Sequence, residues 1–325
     1  MKGLHTHPRQ SREELSDLLT GFRRLFRGSI RERAAVGSST TFTVGGETDA
    51  LFIPADEEDV ALLIPWLARN RLAVLHVRPG ANLLVDDNGF RGTMIDLRRA
   101  CGTITYREAE EDARLVNAGA AARVGELVDF CVRHGIAGAE GFAGFAGSLG
   151  GALADKRGEL AAPLREALHE LRIVREGGIL SLARSDALNL LSGPREKPWT
   201  ILAATLRLRT GDTAELLRSR RAVLMQRITQ DGGNIPGAAK VFYDESDSTA
   251  SELLRRAGCE GIHAGNAIVM TSFPNVVGQR GRAVAGDIFK VIMEMRERVR
   301  NHTGRVLALR VRLAGFGMAT AAVTS

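Results

Sequence analysis

The sequence predicts an α+β protein in three parts, and three observations predict it. Short buried-type strands alternate with amphipathic helices through the first two thirds of the chain. Two glycine-bearing turns, one at Gly80 and one running from Gly141 to Ala152, interrupt that alternation. The last third carries longer helical patterns and closes on a run whose apolar residues fall at every second position. The three parts read as two lobes, 35–100 and 101–210, and a C-terminal domain, 211–316, preceded by an amphipathic helix in 1–34 and followed by a tail, 317–325.

In order, Ser11-Arg-Glu-Glu14 has the spacing of a capping box, and Leu15, Leu18, Leu19, Phe22 and Leu25 follow at helical intervals. This predicts a helix packed as a lid on the first lobe, with arginines on its wet face. Ala50 to Pro54 reads as a strand. Asp56-Glu-Glu58 opens a helix carrying Val60, Leu63, Ile64 and Leu67, with its acids at the favourable end of the helix dipole. Leu72 to Val77 is a buried-type strand running into Pro79-Gly80, and Asn88-Gly89 marks a second turn. His76 within that strand is expected to be packed rather than catalytic.

The second lobe begins near Ile104. Leu115 to Gly119 is a strand, Val124 to His134 a helix stopped by Gly135, Leu164 to Leu168 a helix, and Leu171 to Val174 and Ile201 to Leu208 strands. In the last part, Leu216, Leu217, Leu224 and Met225 mark one helix and Thr249 to Ala257 a second. Asp287 to Asn301 marks a third, with Ile288, Val291, Ile292, Met295 and Val299 turned inward. Arg305 to Leu313 is a strand with Leu307, Leu309, Val311 and Leu313 on one face.

A chain of 325 residues with 44% hydrophobic and 25% charged residues is long enough for two or three packed units of an ordinary globular kind. No apolar run approaches the ~20 residues needed to span a bilayer. The first residues lead into charge rather than an apolar core, so no signal peptide is expected and the cytoplasm is the expected compartment. Cys101, Cys131 and Cys259 are widely spaced and show no metal-ligand pattern; they read as reduced, partly buried thiols. A net charge of +6 with two Tyr and two Trp gives no stacking surface for nucleic acid, and the modest inference is a preference for anionic ligands.

The stretch Gly141-Phe-Ala-Gly-Phe-Ala-Gly-Ser-Leu-Gly-Gly-Ala152 holds five glycines in twelve residues. Glycine lets backbone N–H groups close on a ligand, and runs of outward N–H groups form nests that hold a pyrophosphate. The same string serves equally well as a tight turn where backbone packs on backbone.

A second stretch, Leu75-His-Val-Arg-Pro-Gly-Ala-Asn-Leu-Leu-Val-Asp-Asp-Asn-Gly-Phe-Arg-Gly92, follows an upstream Thr40-Thr-Phe-Thr-Val-Gly-Gly46. In this order the pieces resemble the UDP-N-acetylenolpyruvoylglucosamine reductase (MurB) family, from about Phe26 to Gly315. That family opens on a TTFxVGG-like segment and grips the FAD pyrophosphate with a GGGSNLLV-like and a GxxGxPGxxGGA-like loop. The resemblance implies a two-lobed FAD-binding region of the vanillyl-alcohol-oxidase type, with a C-terminal α+β substrate domain. It also implies cofactor contacts at Gly80, Ala81, Asn82, Leu83, Gly147, Ser148, Gly150 and Gly151.

The family passes hydride from NADPH through FAD to an enolpyruvyl double bond; a serine gives the proton, and an arginine and a glutamate support the substrate carboxylate. The serine's PSAGSVFKNP-like segment matches Pro236-Gly-Ala-Ala-Lys-Val-Phe-Tyr-Asp-Glu245, which puts Lys240 at its position. The glutamate's EPEVRLLG-like segment matches Ala308-Leu-Arg-Val-Arg-Leu-Ala-Gly315, which puts Arg310 at its position. Counting back from Pro198-Trp199 puts Leu190 at the arginine's position, with Arg184 and Arg195 nearby.

Departures extend to the cofactor. Arg78-Pro79 stands where the family has two glycines, and proline removes a donor. The NAGAYG-like sequence after the second loop becomes Lys156-Arg-Gly-Glu-Leu-Ala161, and an AQVSEKHANFIVN-like segment becomes Ala267 to Val277, keeping Asn275.

A lysine ammonium is a poor acid near neutral pH unless its pKa is lowered, and a change from Glu to Arg moves the site by two charge units. The expectation is a catalytically retired homologue, a binding or scaffold protein linked to peptidoglycan-precursor synthesis, with FAD binding weak or lost. Its partners would be a UDP-sugar or other anionic ligand, and cell-wall synthesis proteins. The alternatives are an active FAD- and NADPH-dependent reductase, and a related flavoprotein with a different anionic substrate.

Overall fold

The computed structural model describes residues 12–77, 82–110, 112–194, 199–233 and 235–317. The first sheet runs in the order 29–35, 47–53, 90–95, 74–76. Its outer strand Ser29–Ala35 is antiparallel to Glu47–Ile53, whereas Phe90–Ile95 is parallel to both of its neighbours. Parallel neighbours need a crossover. Helix α2, Glu57–Arg69, supplies it after α1, Arg12–Phe22. Asp56 caps α2 by accepting from the Asp59 N–H, and Val60, Leu63, Ile64 and Leu67 face inward. The α1 residues Leu15, Leu19 and Phe22 join them in one core with Phe52. Phe22 stacks on Trp66 at 4.2 Å between ring centres. Helix α1 therefore packs as the expected lid, although Ser11 of its expected capping box lies outside the described residues.

The second sheet is antiparallel, in the order 178–183, 168–175, 199–210, 113–119, 104–108, with Ile136–Ala137 paired to the far end of 199–210. Four helices cover it: α3 (Val124–Arg133), α4 (Leu149–Ala154), α5 (Ala161–Ala167) and α6 (Arg184–Ser192). Leu127, Val128, Leu149, Leu164, Leu171 and Leu206 sit in their shared core.

Helix α7, Thr213–Asp231, leads into the third part, where strands 239–240, 276–279, 267–269 and 263–264 form an antiparallel sheet. Helices α8 (Ala250–Arg256) and α9 (Ala285–Thr303) pack on it. The five expected inward residues of α9 are fully buried, and Gly304 ends the helix at φ +72°, a conformation costly for any residue with a Cβ.

The first and third parts are stitched together. Phe42 and Leu84, from the region read as the first lobe, belong to the third part's core. Strand Arg312–Ala314 pairs parallel with Leu83–Val85, and the Asp87 carboxylate accepts from the Ala285 and Gly286 N–H groups at the start of α9, at 2.9 and 2.8 Å.

Three expectations are corrected. The final strand is confined to Arg312–Ala314, because Leu309 and Arg310 instead bridge to the 241–242 backbone. His76 is exposed rather than packed, with its Nε2 3.2 Å from Thr200 Oγ1. On α7, Leu217 and Met225 are exposed, and only Leu216 of the four expected apolar residues is fully inside.

Candidate functional site

Residues 239–243 lie between two other segments of the third part. On one side, strand 239–240 pairs with 276–279, and Asn275 is buried against Phe242. The Asn275 Oδ1 accepts from the Phe242 N–H and its Nδ2 donates to the Phe242 carbonyl, both at 3.0 Å. On the other side, the Arg310 N–H donates to the Val241 carbonyl at 2.8 Å and the Tyr243 N–H to the Ala308 carbonyl at 3.0 Å. This backbone ladder brings Lys240 and Arg310 into one neighbourhood although 70 residues separate them in sequence (310 less 240). Among the described residues, no hydrogen bond or ion pair draws Leu190 into that neighbourhood. It sits half-buried on α6, packed against the second lobe's core. Arg184 is exposed at the start of α6, and Arg195 lies outside the described residues.

A carboxylate reaches this neighbourhood from the second lobe. Glu159, in the turn between α4 and α5, pairs with Arg227 Nη1 of α7 at 3.1 Å and with Arg310 Nη2 at 3.7 Å. The two arginine side chains are about four-fifths buried, at 18% and 19% exposure. Burial alone would raise the Glu159 pKa, but the charges of Arg227, Lys240 and Arg310 together hold it below its ordinary value. Beside this cluster the Tyr243 hydroxyl donates to Asp155 Oδ1 at 2.9 Å, with the Arg157 guanidinium 5.0 Å from its ring centre. Burial first, then the Asp155 charge, push the Tyr243 pKa up.

The cofactor positions divide. Gly80 and Ala81 lie outside the described residues. Asn82 Nδ2 donates to the Lys240 carbonyl at 2.9 Å, its Oδ1 is buried with no partner among the described residues, and Leu83 is buried at the start of its strand. In the second loop, Ser148 caps the six-residue α4 by accepting from the Gly151 N–H at 3.1 Å. The Leu149 and Gly150 N–H groups donate to the Ala122 and Ala120 carbonyls at 3.0 and 2.9 Å. Gly150 is required by close approach: a Cβ there would stand 2.8 Å from the Ala120 Cβ. Residues 149–151 therefore do not fit a pyrophosphate held on their N–H groups, since all three already have acceptors. The orphaned Asn82 Oδ1 is the feature that would suit a hydroxyl-bearing ligand.

Glu159 was legible in the sequence only as part of a departure, Lys156 to Ala161. Arg227 carried no sequence signal beyond its place on a basic helix. Among the described residues no cluster of His, Cys, Asp and Glu is placed to hold a metal, and no helix is long and apolar enough to cross a membrane.

Residues 48–182 match the FAD binding domain family, and residues 230–314 match the UDP-N-acetylenolpyruvoylglucosamine reductase, C-terminal domain. The chain is 30% identical over 301 residues to the UDP-N-acetylenolpyruvoylglucosamine reductase of Heliobacterium modesticaldum, covering 91% of this chain and 94% of that one. It is 31% identical over 294 residues to the enzyme of that name from Nitrosococcus oceani, covering 89% and 96%. In three dimensions it is similar to the Thermus caldophilus reductase, with a TM-score of 0.65 at 20% identity over 89% of this chain and 99% of that one.

Proposed function

Given that the chain belongs to the UDP-N-acetylenolpyruvoylglucosamine reductase family, we propose that it is a member whose catalytic set has been dismantled. It would serve as a binding or scaffold protein linked to peptidoglycan-precursor synthesis in the cytoplasm. The observation that carries this reading is the engagement of Arg310, which the resemblance sets at the family's glutamate position, with Glu159 of the opposite lobe; the resemblance likewise sets Lys240 at the serine position.

Reduction of an enolpyruvyl double bond ends with a proton delivered to carbon. The family's donor is a neutral hydroxyl on a short side chain, and a lysine ammonium in its place differs in reach and charge, so the donor geometry of that step is not reproduced. The glutamate position now carries a cation, so the charge pattern around a developing enolate is rewritten. Removing one member of a cooperative catalytic set commonly costs orders of magnitude in rate, and here two are replaced.

FAD binding is weak or lost in this reading, because residues 149–151 have spent their N–H donors within the chain and Arg78-Pro79 replaces two glycines. An absorbance scan across the flavin bands, before and after added FAD and dialysis, tests it; stoichiometric flavin retained after dialysis would overturn it. The convergence of Arg227 and Arg310 on Glu159, whose pKa the Lys240 charge also lowers, favours a second reading, a flavoprotein for a different anionic substrate. NADPH consumption that fell on Lys240→Ala would move that reading ahead.

A further inference from the structure

We propose that the outer side of α7 is a docking seam for an amphipathic helix of a partner protein, one that carries an acidic residue in the middle of its apolar stripe. The seam lies on a different side of α7 from Arg227, which turns inward to Glu159. The proposal therefore goes beyond the functional reading above and does not depend on catalysis being lost.

Helix α7 is 19 residues long, and among its described side chains only Leu216 is fully buried. Helices in proteins draw most of their stability from packing an apolar face. This one leaves Leu217, Met225 and Ile228 exposed by 49, 55 and 50%. They are not scattered. Ala214, Leu217, Arg221, Leu224 and Ile228 recur at alternating steps of three and four residues, the a and d spacing of a helix that meets another helix, and Met225 flanks them. Leu224 is half-buried against the second lobe's core, which anchors the stripe to the body of the protein. Single apolar residues on a surface need no partner, whereas a continuous stripe marks a contact.

Helix α3 supplies a second wall. An open groove of about 370 Å³ between α3 and α7 is lined by Glu126, Asp129, Val132, Arg133, Leu217 and Arg220. Asp129 and Arg220 pair there at 2.6 Å, so α7 is held against α3 below the seam. A helix laid along α7 would send side chains from its flank into this groove, sharing Leu217 with it.

Charge selects the occupant. Arg221 stands at the central a position, is exposed, and makes no ion pair or hydrogen bond among the described residues. Between Leu217 and Ile228 the helix carries Arg218, Arg220, Arg221 and Arg227 and no acidic residue. Two copies joined α7 to α7 would bury both Arg221 side chains in one seam with no carboxylate between them, a costly arrangement. A glutamate or aspartate on a different helix instead gives Arg221 paired N–H···O bonds. A polar contact at a single a position also fixes the register of the docked helix.

The test is fluorescence anisotropy with the full chain and two labelled three-heptad peptides. Both have leucine at a and d, with glutamate in one and lysine in the other at the middle a position. Wild type is expected to bind the glutamate peptide about 10-fold more tightly than the lysine peptide, equivalent to ~1.4 kcal/mol. Leu217→Ser and Ile228→Ser should each weaken the glutamate peptide about 10-fold, and Arg221→Glu should invert the preference. Leu25→Ser, an exposed apolar position on the first part, should change nothing. Should a serine variant melt early, Arg221→Glu decides, since an unchanged preference there contradicts the seam. Binding of neither peptide, equal binding of both, or indifference to Leu217→Ser would overturn the proposal. So would dimerisation of wild type that Leu217→Ser abolishes, because a second copy then fills the seam, or displacement of the glutamate peptide by phosphatidylglycerol vesicles. Turnover by wild type would sink the retired-enzyme reading and leave this one standing.

Discussion

Arg310 and Glu159 face each other across the boundary between the third part and the second lobe, 3.7 Å apart, with Arg227 on the same carboxylate oxygen at 3.1 Å. The contact ties the second lobe to the third part and to α7 through one carboxylate.

The two arginines should differ in their weight. Arg227 makes the shorter pair, and its side chain lies against Gly144, where a Cβ would stand 2.9 Å from Arg227 Cδ. Arg227→Ala removes packing as well as charge and should destabilise by ~1–2 kcal/mol. Arg310→Ala should cost under ~1 kcal/mol, because Glu159 is partly solvated and keeps Arg227. Urea denaturation of both variants checks the order; equal losses would place the energy in the pair charges alone.

Asn275 is the keystone of the segment that presents Lys240. Its amide satisfies both backbone groups of Phe242 in a buried setting. Asn275→Ala leaves an N–H and a carbonyl without partners, each costing ~1–3 kcal/mol when buried, so a total near ~2–4 kcal/mol is expected. The urea midpoint measures it, and a loss below ~1 kcal/mol would mean that water replaces the amide.

Acid should dissolve the junction before neutral pH affects it. The Glu159 pKa is depressed in the folded chain, so its contribution is fully present above the unfolded value, ~4.3 for a glutamate, and is lost as pH falls through the lower folded value. The gap in melting temperature between wild type and Glu159→Gln should be constant from neutral pH down to about pH 5 and close below about pH 4. A gap that widened in acid would contradict the ion-pair assignment.

The three cysteines should be silent toward thiol reagents in the folded protein. Burial pushes the Cys101 and Cys131 thiols up to about 12 and Cys259 up to about 11, and all three are free and buried. A disulfide-exchange reagent at pH 8 should titrate none quickly in the native state and all three after denaturation. Rapid native labelling of any one would show that its surroundings open.

Much of the fold was legible because its elements carry strong local patterns. Helix α9 repeats apolar residues at 288, 291, 292, 295 and 299 and stops at Gly304, so periodicity and cap agree. Strand Ser29–Ala35 was missed because it is an exposed outer strand, SIRERAA, with no apolar alternation to announce it. The final strand was overextended for the opposite reason: its alternation is real, but residues 308–310 spend their backbone bonds on 241–243. At the site, Lys240 and Arg310 were found by resemblance, while Glu159 and Arg227 needed the fold. They come from a turn and a helix 68 residues apart (227 less 159), and nothing local in either records the other.

The central claim is tested most directly by NADPH consumption with UDP-N-acetylenolpyruvoylglucosamine as substrate and FAD supplied. The measurement is made on wild type, Lys240→Ser, Arg310→Glu and the double variant. The account predicts no turnover above background in wild type or either single variant, with any recovery confined to the double variant, because a cooperative set returns only when its members return together. Wild-type turnover of even about one per second, inside the ordinary enzyme range of ~1–10³ per second, would contradict it.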